Sequence, residues 1–414
     1  MRKIPAALLA LTLTASLTAP TAGALKTSSL PELDGHWSQA AFRRWHGYGI
    51  VEGDDRGMRP DDAMMVSEFA ALLSRTMGYT KQAENRYADL KGDEWYAPYI
   101  LRLTAAGILE GDGVNCNADE LMTRERATVL FARALGIRPS EAPDLSGFVD
   151  GDSAAEWSAG YIDAMAKAGI IQGVGDHTLA LGADITRASV VTVLDNAVAE
   201  YVTEEGTEIT GDVDGILLVA ADGVTVKDAS LSGSLLLAPK AGEAVLTVEN
   251  STLKEDLLVE TSGAQVSLTG TQVQGEAALT GDGNALTLGE GTEAAAVSVD
   301  GDKNTLAVAE GASIGTLTAR AAVEVDNQGT IDKALIRAGG VVLDGNKPGD
   351  IQVAEDVDAP TDGAGNPVAG DDQQPGNDGQ QPEDDGQQPE GDGQQPEGDD
   401  DADQDGSKDG QDAV

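Results

Sequence analysis

A spacing of tryptophan and glycine residues recurs three times in the first half of the chain. Each of Trp37, Trp95 and Trp157 is followed at +12 by a glycine, then by two aliphatic residues and, at +16, by a second glycine. A fixed spacing that occurs three times predicts a structural repeat, and the glycines are interpreted as structural, the first of each pair as a left-handed helix cap. These glycines are Gly49, Gly107 and Gly169, then Gly53, Gly111 and Gly173.

Two helices are predicted in each repeat. Apolar residues follow each tryptophan at +4, +8 and +11, which is one face of an amphipathic helix of about three turns. After a polar loop, second helices are predicted over 65–77, 123–135 and 186–199, and Thr123 and Thr186 stand where an N-cap hydroxyl is expected. A tryptophan at the start of such a stripe can be a core residue or a platform for a ligand, and the sequence leaves both interpretations open.

The repeats resemble the S-layer-homology (SLH) domain. The second repeat contains Tyr87-Ala88-Asp89, Gly107-Ile108-Leu109-Glu110-Gly111 and Thr123-Arg124-Glu125-Arg126 around its tryptophan, and the third contains Phe148-Val149-Asp150, Gly169-Ile170-Ile171-Gln172-Gly173 and Thr186-Arg187-Ala188-Ser189. In the first repeat, Met65-Val66-Ser67-Glu68 replaces the Thr-Arg element. The resemblance covers residues 30 to 202, with repeats at 30–80, 85–138 and 146–202.

The resemblance implies an all-α pseudo-trimer whose grooves bind an anionic secondary cell-wall polysaccharide or another peptidoglycan-linked polymer. Guanidinium groups suit that ligand because they bind carboxylates bidentately. Since Val66 stands where the first such arginine would be, we expect at most two full grooves. By position in the motif, the implied binding residues are Arg124, Arg187, Trp37, Trp95, Trp157, Asp89 and Asp150.

The N-terminal residues predict export. Arg2 and Lys3 precede an apolar run from Ile4 to Leu17, and Ala22 and Ala24 follow, which is typical of a cleaved signal peptide over residues 1–24. Later stretches fall short of the ~20 apolar residues of a membrane span, so we expect no membrane insertion after cleavage. The expected location is the cell wall or cell surface, with non-covalent attachment.

Charge restricts the partners and marks a separate tail. The net charge of -44 argues against nucleic acid and anionic membranes, which bind clustered Lys and Arg. Residues 360–414 carry 17 Asp and Glu against Lys408 alone, with a repeated Gln-Gln-Pro. Such a segment is predicted to be disordered, as a solubilising spacer or as a fringe that gathers divalent cations.

Residues 211–350 show a different repeat, of about 20 residues. One set of strand-like positions is Leu217, Leu235, Leu257, Ala277, Val297, Leu317 and Leu335, and a second is Val224, Leu246, Val266, Leu286, Leu306, Val323 and Val341. Apolar and polar residues alternate around both sets, and no aromatic residue occurs. The pattern predicts a parallel β-solenoid of about seven coils, of either hand, with an antiparallel β-sandwich as the alternative.

We expect no catalysis, cofactor or metal site. A polysaccharide-active solenoid needs acids, or a base with Arg or Lys, grouped on one face. The basic residues of the segment are instead scattered: Lys227, Lys240, Lys254, Lys303, Arg320, Lys333 and Arg337. Gly281-Asp282-Gly283-Asn284 faintly resembles a calcium-binding repeat, but turn formation explains it. The predicted function is anchoring of a surface protein by the repeats, with the solenoid displayed outward as a spacer; the alternatives are an adhesin or carbohydrate-binding protein and, less favoured, a polysaccharide-active enzyme.

Overall fold

The computed structural model describes residues 30–368, so the predicted signal peptide and the chain beyond residue 368 lie outside it. Its N-terminal part contains six α-helices, two in each repeat, as the sequence predicts. No helix in this range is long and apolar enough to cross a membrane. The helices are α1 Gln39–Gly47, α2 Val66–Met77, α3 Ala97–Ala105, α4 Arg124–Ala134, α5 Glu156–Lys167 and α6 Arg187–Ala197.

The ends of these helices follow the local sequence signals. The hydroxyl of Thr123 accepts a hydrogen bond from the amide of Arg126, and that of Thr186 accepts one from Ser189, each at 3.2 Å. Where the first repeat lacks the threonine, the Glu68 carboxylate accepts from the amide of Met65 at 3.0 Å. The predicted left-handed glycines are confirmed, with φ near +70° at Gly49, Gly107 and Gly169.

The three repeats are joined by a closed ring of backbone hydrogen bonds. Met64 donates to Ile185 at 3.0 Å, Ile185 to Met122 at 2.8 Å, and Met122 back to Met64 at 2.8 Å. Each of the three residues lies just before the second helix of its own repeat. The second helix of each repeat also packs against the first helix of the next, and α6 packs against α1. The order of the repeats is therefore cyclic in space.

Each second helix begins inside a loop of another repeat. The amide of Val66 donates to the carbonyl of Glu120, that of Arg124 to Ala183, and that of Arg187 to Asp62, at 2.9 to 3.0 Å. These bonds satisfy amides that a helix N-terminus leaves without an intrahelical partner. The first residue of each second helix is consequently hydrogen-bonded to a loop that is remote in sequence.

The chain passes from α6 directly into a parallel β-solenoid of about eight turns. All strand pairings among β1 to β18 are parallel, so the sandwich alternative is wrong. The sequence predicts seven coils that begin at residue 211, whereas the solenoid has one more turn. That first turn begins with β1, which follows α6 directly. The strands are β1 Val198–Val202, β2 Glu208–Val213, β3 Ile216–Val219, β4 Val224–Leu231, β5 Leu235–Leu237, β6 Val245–Glu249, β7 Thr252–Leu253, β8 Leu257–Val259, β9 Gln265–Thr269, β10 Gln272–Leu279, β11 Ala285–Leu288, β12 Glu293–Val299, β13 Asn304–Val308, β14 Ser313–Ala319, β15 Val323–Asn327, β16 Thr330–Ile336, β17 Val342–Gly345 and β18 Asp350–Val353.

The predicted stacking register holds until the last two turns. Leu217, Leu235, Leu257, Ala277, Val297 and Leu317 stack in one column, and Val224, Leu246, Val266, Leu286 and Leu306 stack in another.

The last three positions of the two sets lie outside these columns, although Val323 and Leu335 are strand residues. Ala334 and not Leu335 pairs with Leu317, and Val325 and not Val323 pairs with Leu306. Val341 precedes β17, whose Leu343 pairs with Val325. The last turns are shorter than 20 residues, and an alternating strand offers several apolar positions that only the neighbouring turn distinguishes.

The helical repeats pack against the flank of the first solenoid turns. In these turns the strands are buried on both faces: Leu217 points into the solenoid core, while Leu218, Leu236 and Leu258 join the core of the helical repeats. Ala278, one turn further on, is the last strand residue of the solenoid to join that core. The helical part and the first turns therefore share one continuous apolar core.

Residues 360–368 close the last turn, whereas their composition placed them in the acidic tail. Thr361 donates to the carbonyl of Val341 at 3.0 Å and accepts from the amide of Leu343 at 2.7 Å. Val368 packs against the solenoid core. The predicted boundary at residue 360 was wrong because Gly, Asp and Pro are as typical of a tight terminal turn as of an unfolded segment.

Candidate functional site

The three repeat tryptophans are exposed. Trp37, Trp95 and Trp157 are 64, 59 and 53 % exposed, so of the two interpretations left open they are surface residues and not core residues. The next two stripe positions of the first repeat do face the core, since Ala41 and Trp45 are buried in α1. Each repeat therefore presents one large aromatic ring at the surface next to the start of its first helix.

Trp95 borders a first cleft, here called cleft 1. Its other walls are the loop of residues 50–54 and helix α2, so it lies between the first and second repeats. The volume is about 200 Å³. Its charged lining consists of Glu52, Asp54, Arg59, Glu68, Arg75 and Arg187.

Arg187 comes from the third repeat and reaches the loop of the first. Its Nε donates to the carbonyl of Met58 and its Nη2 to that of Glu52, both at 2.9 Å, while Nη1 lies 3.4 Å from the Glu68 carboxylate. Burial lowers the pKa of Arg187, and the nearby Glu68 carboxylate opposes that shift. The guanidinium holds the wall of cleft 1 and supplies it with positive charge.

Arg59 adds a second cation to cleft 1. It forms ion pairs with Asp54 and Asp62 at 3.0 Å and with Glu68 at 3.3 Å. Burial disfavours its charge, but these carboxylates raise the pKa of Arg59 above its usual value. Its buried Nε has no hydrogen-bond acceptor among residues 30–368.

Trp157 borders a second cleft, cleft 2, of about 310 Å³ between the second and third repeats. Residues 108–111, helix α4, Arg126 and Arg133 form its other walls. Because α2 begins in the loop of the second repeat, the arginine that Val66 replaces is missing from cleft 2 and not from the cleft of the first repeat.

Arg124 occupies the corresponding place in the third repeat. Its Nε donates to the carbonyl of Leu179 at 2.9 Å, as that of Arg187 does to Met58. Burial lowers the pKa of Arg124, and the charge of Asp150 counteracts this effect. The two predicted arginines thus make equivalent contacts. Arg124 binds the loop of the third repeat and Arg187 binds that of the first, so they do not lie in one site.

Asp89 and Asp150 bind their own loops. The Asp89 carboxylate accepts from the amides of Cys116 and Asn117 at 2.9 and 2.8 Å, and that of Asp150 accepts from Leu179 and Ala180 at 2.6 and 2.8 Å. Burial opposes ionisation of both, yet these amide bonds lower the pKa of Asp89 and of Asp150. Asp150 thus supports the loop that Arg124 binds, and Asp89 supports the corresponding loop of the second repeat, where Val66 replaces the arginine.

Sequence reasoning missed Arg75 and Arg133 in the last turns of α2 and α4. Arg75 lies over the ring of Tyr99 at 5.5 Å, and Arg133 lies over Tyr161 at 5.8 Å. Each tyrosine is four residues beyond an exposed tryptophan. The signal was available, because Arg75 and Arg133 each lie nine residues after the first residue of their helix. The third repeat has Asn196 there, which donates to Ile170.

The second glycine of each pair allows a close backbone approach at the cleft loops. A Cβ at Gly53 would lie 2.8 Å from the carbonyl oxygen of Gly57, and one at Gly173 would lie 2.9 Å from His177. At Gly111 it would meet the carbonyl oxygen of Asn115. These glycines shape the loops, as the spacing predicts. In residues 30–368 no three His, Cys, Asp or Glu side chains are grouped to hold a metal ion.

Comparison with known proteins agrees with this geometry. The model of the S-layer homology domain matches residues 86–125 and 147–190, which are the second and third repeats. Similar proteins include the Exoglucanase XynX of Acetivibrio thermocellus (29 % identical over 43 % of this chain and 17 % of that protein) and the S-layer protein sap of Bacillus anthracis (25 %, 42 % and 22 %). The Surface layer protein of Brevibacillus choshinensis is 25 % identical over 55 % of this chain and 20 % of its own length.

The second and third repeats thus match the S-layer homology domain, in agreement with the fold and the clefts. These matches indicate a secreted protein of the cell surface. The chain spans only about a fifth of the length of these relatives, and the catalytic names among them belong to proteins that it matches in part.

Proposed function

We propose that clefts 1 and 2, and the equivalent position of the third repeat, bind an acidic secondary polysaccharide of the cell wall and so anchor the protein non-covalently. The observation that carries the proposal is the pairing of an exposed tryptophan with arginine side chains in the same cleft: Trp95 with Arg75 and Arg187, and Trp157 with Arg126 and Arg133.

The chemistry of cleft 1 suits an acidic sugar. The exposed ring of Trp95 offers a flat apolar surface to the C–H face of a sugar ring. Arg75 is partly exposed and its ion pair with Glu52 is long, at 3.7 Å, so a ligand carboxylate can compete for it. Because the chain as a whole carries a surplus of acidic residues, an anionic ligand must be held by local guanidinium groups such as these.

The predicted residues divide into two roles under this proposal. The tryptophans, Arg75 and Arg133 contact the polymer. Arg124, Arg187, Asp89 and Asp150 position the loops, because their polar atoms already bind backbone groups. We also infer the pseudo-threefold arrangement that the resemblance implies, and the hydrogen-bond ring through Met64, Met122 and Ile185 supports it.

The solenoid is proposed to be a rigid spacer. Its first turns share a core with the helical repeats, which couples the two without a flexible linker. Eight turns at the usual strand spacing of ~4.8 Å extend for roughly 35–40 Å. Among its described residues, Val245 is the one exposed large hydrophobic side chain, so no apolar patch favours an adhesive surface.

Co-sedimentation with purified sacculi tests the proposal. Wild-type protein is expected to pellet with sacculi, and to stay in solution once their non-peptidoglycan polymer is removed. A W95A/R75Q double variant is expected to lose most of the binding. The control is R320Q, which removes an exposed arginine paired with Asp300 on the solenoid and should bind like wild type. The proposal would be contradicted if wild-type protein binds sacculi equally well with and without the polymer, or if the double variant binds as well as R320Q.

A further inference from the structure

A larger cleft lies between the helical repeats and the solenoid, and we call it the junction cleft. Its volume is about 530 Å³, within the range of small-ligand sites. The helical side contributes Lys81, Arg102 and Arg133, and the solenoid side contributes Glu243, Glu260, Asp282 and Thr280. Positive groups therefore line one wall, and hydroxyl and carboxyl groups line the other.

Arg102 has an unsatisfied donor at this cleft. Its guanidinium stacks over the ring of Tyr99 at 5.6 Å. Its Nε is buried and has no hydrogen-bond partner, and the side chain makes no ion pair within residues 30–368. Leaving a buried donor unpaired is unfavourable, more so when the group is charged. The residue is half-buried and lines the cleft, and its guanidinium group has no carboxylate partner in the described part of the chain to give up when an anion binds there.

A continuous line of side chains joins the junction cleft to cleft 1. Trp95 lines cleft 1, and its ring centroid lies 6.3 Å from that of Tyr99. Tyr99 is in turn covered by Arg75 from cleft 1 and by Arg102 from the junction cleft, at 5.5 and 5.6 Å. Trp95, Tyr99 and Arg102 span about 10 Å along the direction of α3. A polymer that leaves cleft 1 thus meets an aromatic surface and then a second cation.

We propose that the acidic polymer of cleft 1 extends along Trp95 and Tyr99 into the junction cleft, where Arg102 binds a carboxylate of a further sugar. Lys81 adds a second positive charge, and Thr280 and Asp282 of the solenoid bind sugar hydroxyls. The solenoid then forms one wall of the binding site. This inference rests on the proposed function of cleft 1.

Two carboxylates of the opposite wall already accept hydrogen bonds from other groups. Glu260 accepts a hydrogen bond from the hydroxyl of Tyr79 at 3.1 Å, and Asp282 accepts one from the amide of Asp302 at 3.0 Å. Lys81, like Arg102, forms no ion pair with any residue that the structure describes. The positive side of the cleft is therefore free to receive an anionic group.

Calorimetric titration with polymer fragments of two lengths tests the extension. The fragments are released from sacculi by mild hydrolysis and separated into a short fraction that fits cleft 1 and a longer one that reaches Arg102. We expect wild-type protein to bind the longer fraction about tenfold more tightly. R102Q should bind the short fraction like wild type and lose the gain from length.

Two further variants control for the possibility that R102Q loses binding because it does not fold. Lys81 is exposed, so K81Q folds normally and should lose part of the gain, while R320Q on the solenoid should keep all of it. The inference is overturned if R102Q keeps the gain, or if wild-type protein binds both fractions equally. Wild-type protein that binds neither fraction refutes the function of cleft 1 itself.

Discussion

Tyr79, just after α2, donates a hydrogen bond to the Glu260 carboxylate, just after β8, at 3.1 Å. This bond crosses the junction between the helical repeats and the solenoid. Burial raises the pKa of Glu260 to about 7, and the Tyr79 hydroxyl opposes the rise. Burial and the Glu260 charge together raise the pKa of Tyr79. The junction therefore contains a carboxyl group that titrates near neutral pH.

The first prediction concerns this group. Because its folded pKa lies above the ordinary value of 4.5, Glu260 favours the folded state in its protonated form. Its contribution is fully present below about pH 4.5 and declines as the pH rises to about 7. Thermal unfolding of wild type and E260Q across this range should show that E260Q lacks the decline. Parallel curves for the two proteins would contradict the assignment.

The second prediction tests how tightly the helical repeats pack against the flank of the solenoid at Gly136. Gly136 has φ of +66°, and a Cβ there would meet the Leu258 side chain of the solenoid. G136A should therefore lose about 1 kcal/mol from backbone strain and a further 1–3 kcal/mol from overpacking. G206A is the matched control, because Gly206 has φ of +70° and open space around its Cβ position. Urea denaturation measures the difference, and equal losses for both variants would argue against tight packing at the junction.

The third prediction concerns the loop-binding aspartates. D150A leaves the amides of Leu179 and Ala180 without their acceptor, which should cost about 1–3 kcal/mol of unfolding free energy. Since its folded pKa is lowered, the stabilisation by Asp150 is present above about pH 4 and is lost as the pH falls through the folded pKa. D152A, at an exposed neighbouring position, is the control and should change stability little. A D150A melting curve that overlays that of D152A would rule out this role.

The fourth prediction concerns Val66 and rests on the proposed function. If cleft 2 lacks the loop-positioning arginine that Val66 replaces, V66R should hold the loop of the second repeat and tighten polymer binding by about tenfold. V66M adds length without charge and should not. Calorimetry with the released polymer compares the two variants. Equal affinity of V66R and V66M, with both folded, would show that the position does not serve cleft 2.

Much of the local structure could be predicted from the chain alone. The six helices, the caps at Thr123 and Thr186 and the φ values of the repeat glycines follow from short-range patterns, because capping and helix periodicity involve residues a few positions apart. The solenoid and most of its stacking columns also follow, since each turn repeats the strand pattern of the previous one. The stacking positions in short final turns such as that of β17 could not be predicted, because alternation alone leaves the register open.

What the sequence by itself determined is the identity of the elements: three pairs of helices, a parallel solenoid and the residue types of the clefts. The tertiary structure decided how they meet. It placed Arg187 of the third repeat in the loop of the first, turned Trp95 to the surface and covered Leu218 of the solenoid with helices. The physical reason is that periodicity shows which face of an element is apolar, whereas the partner that covers the face is chosen by packing between segments distant in sequence.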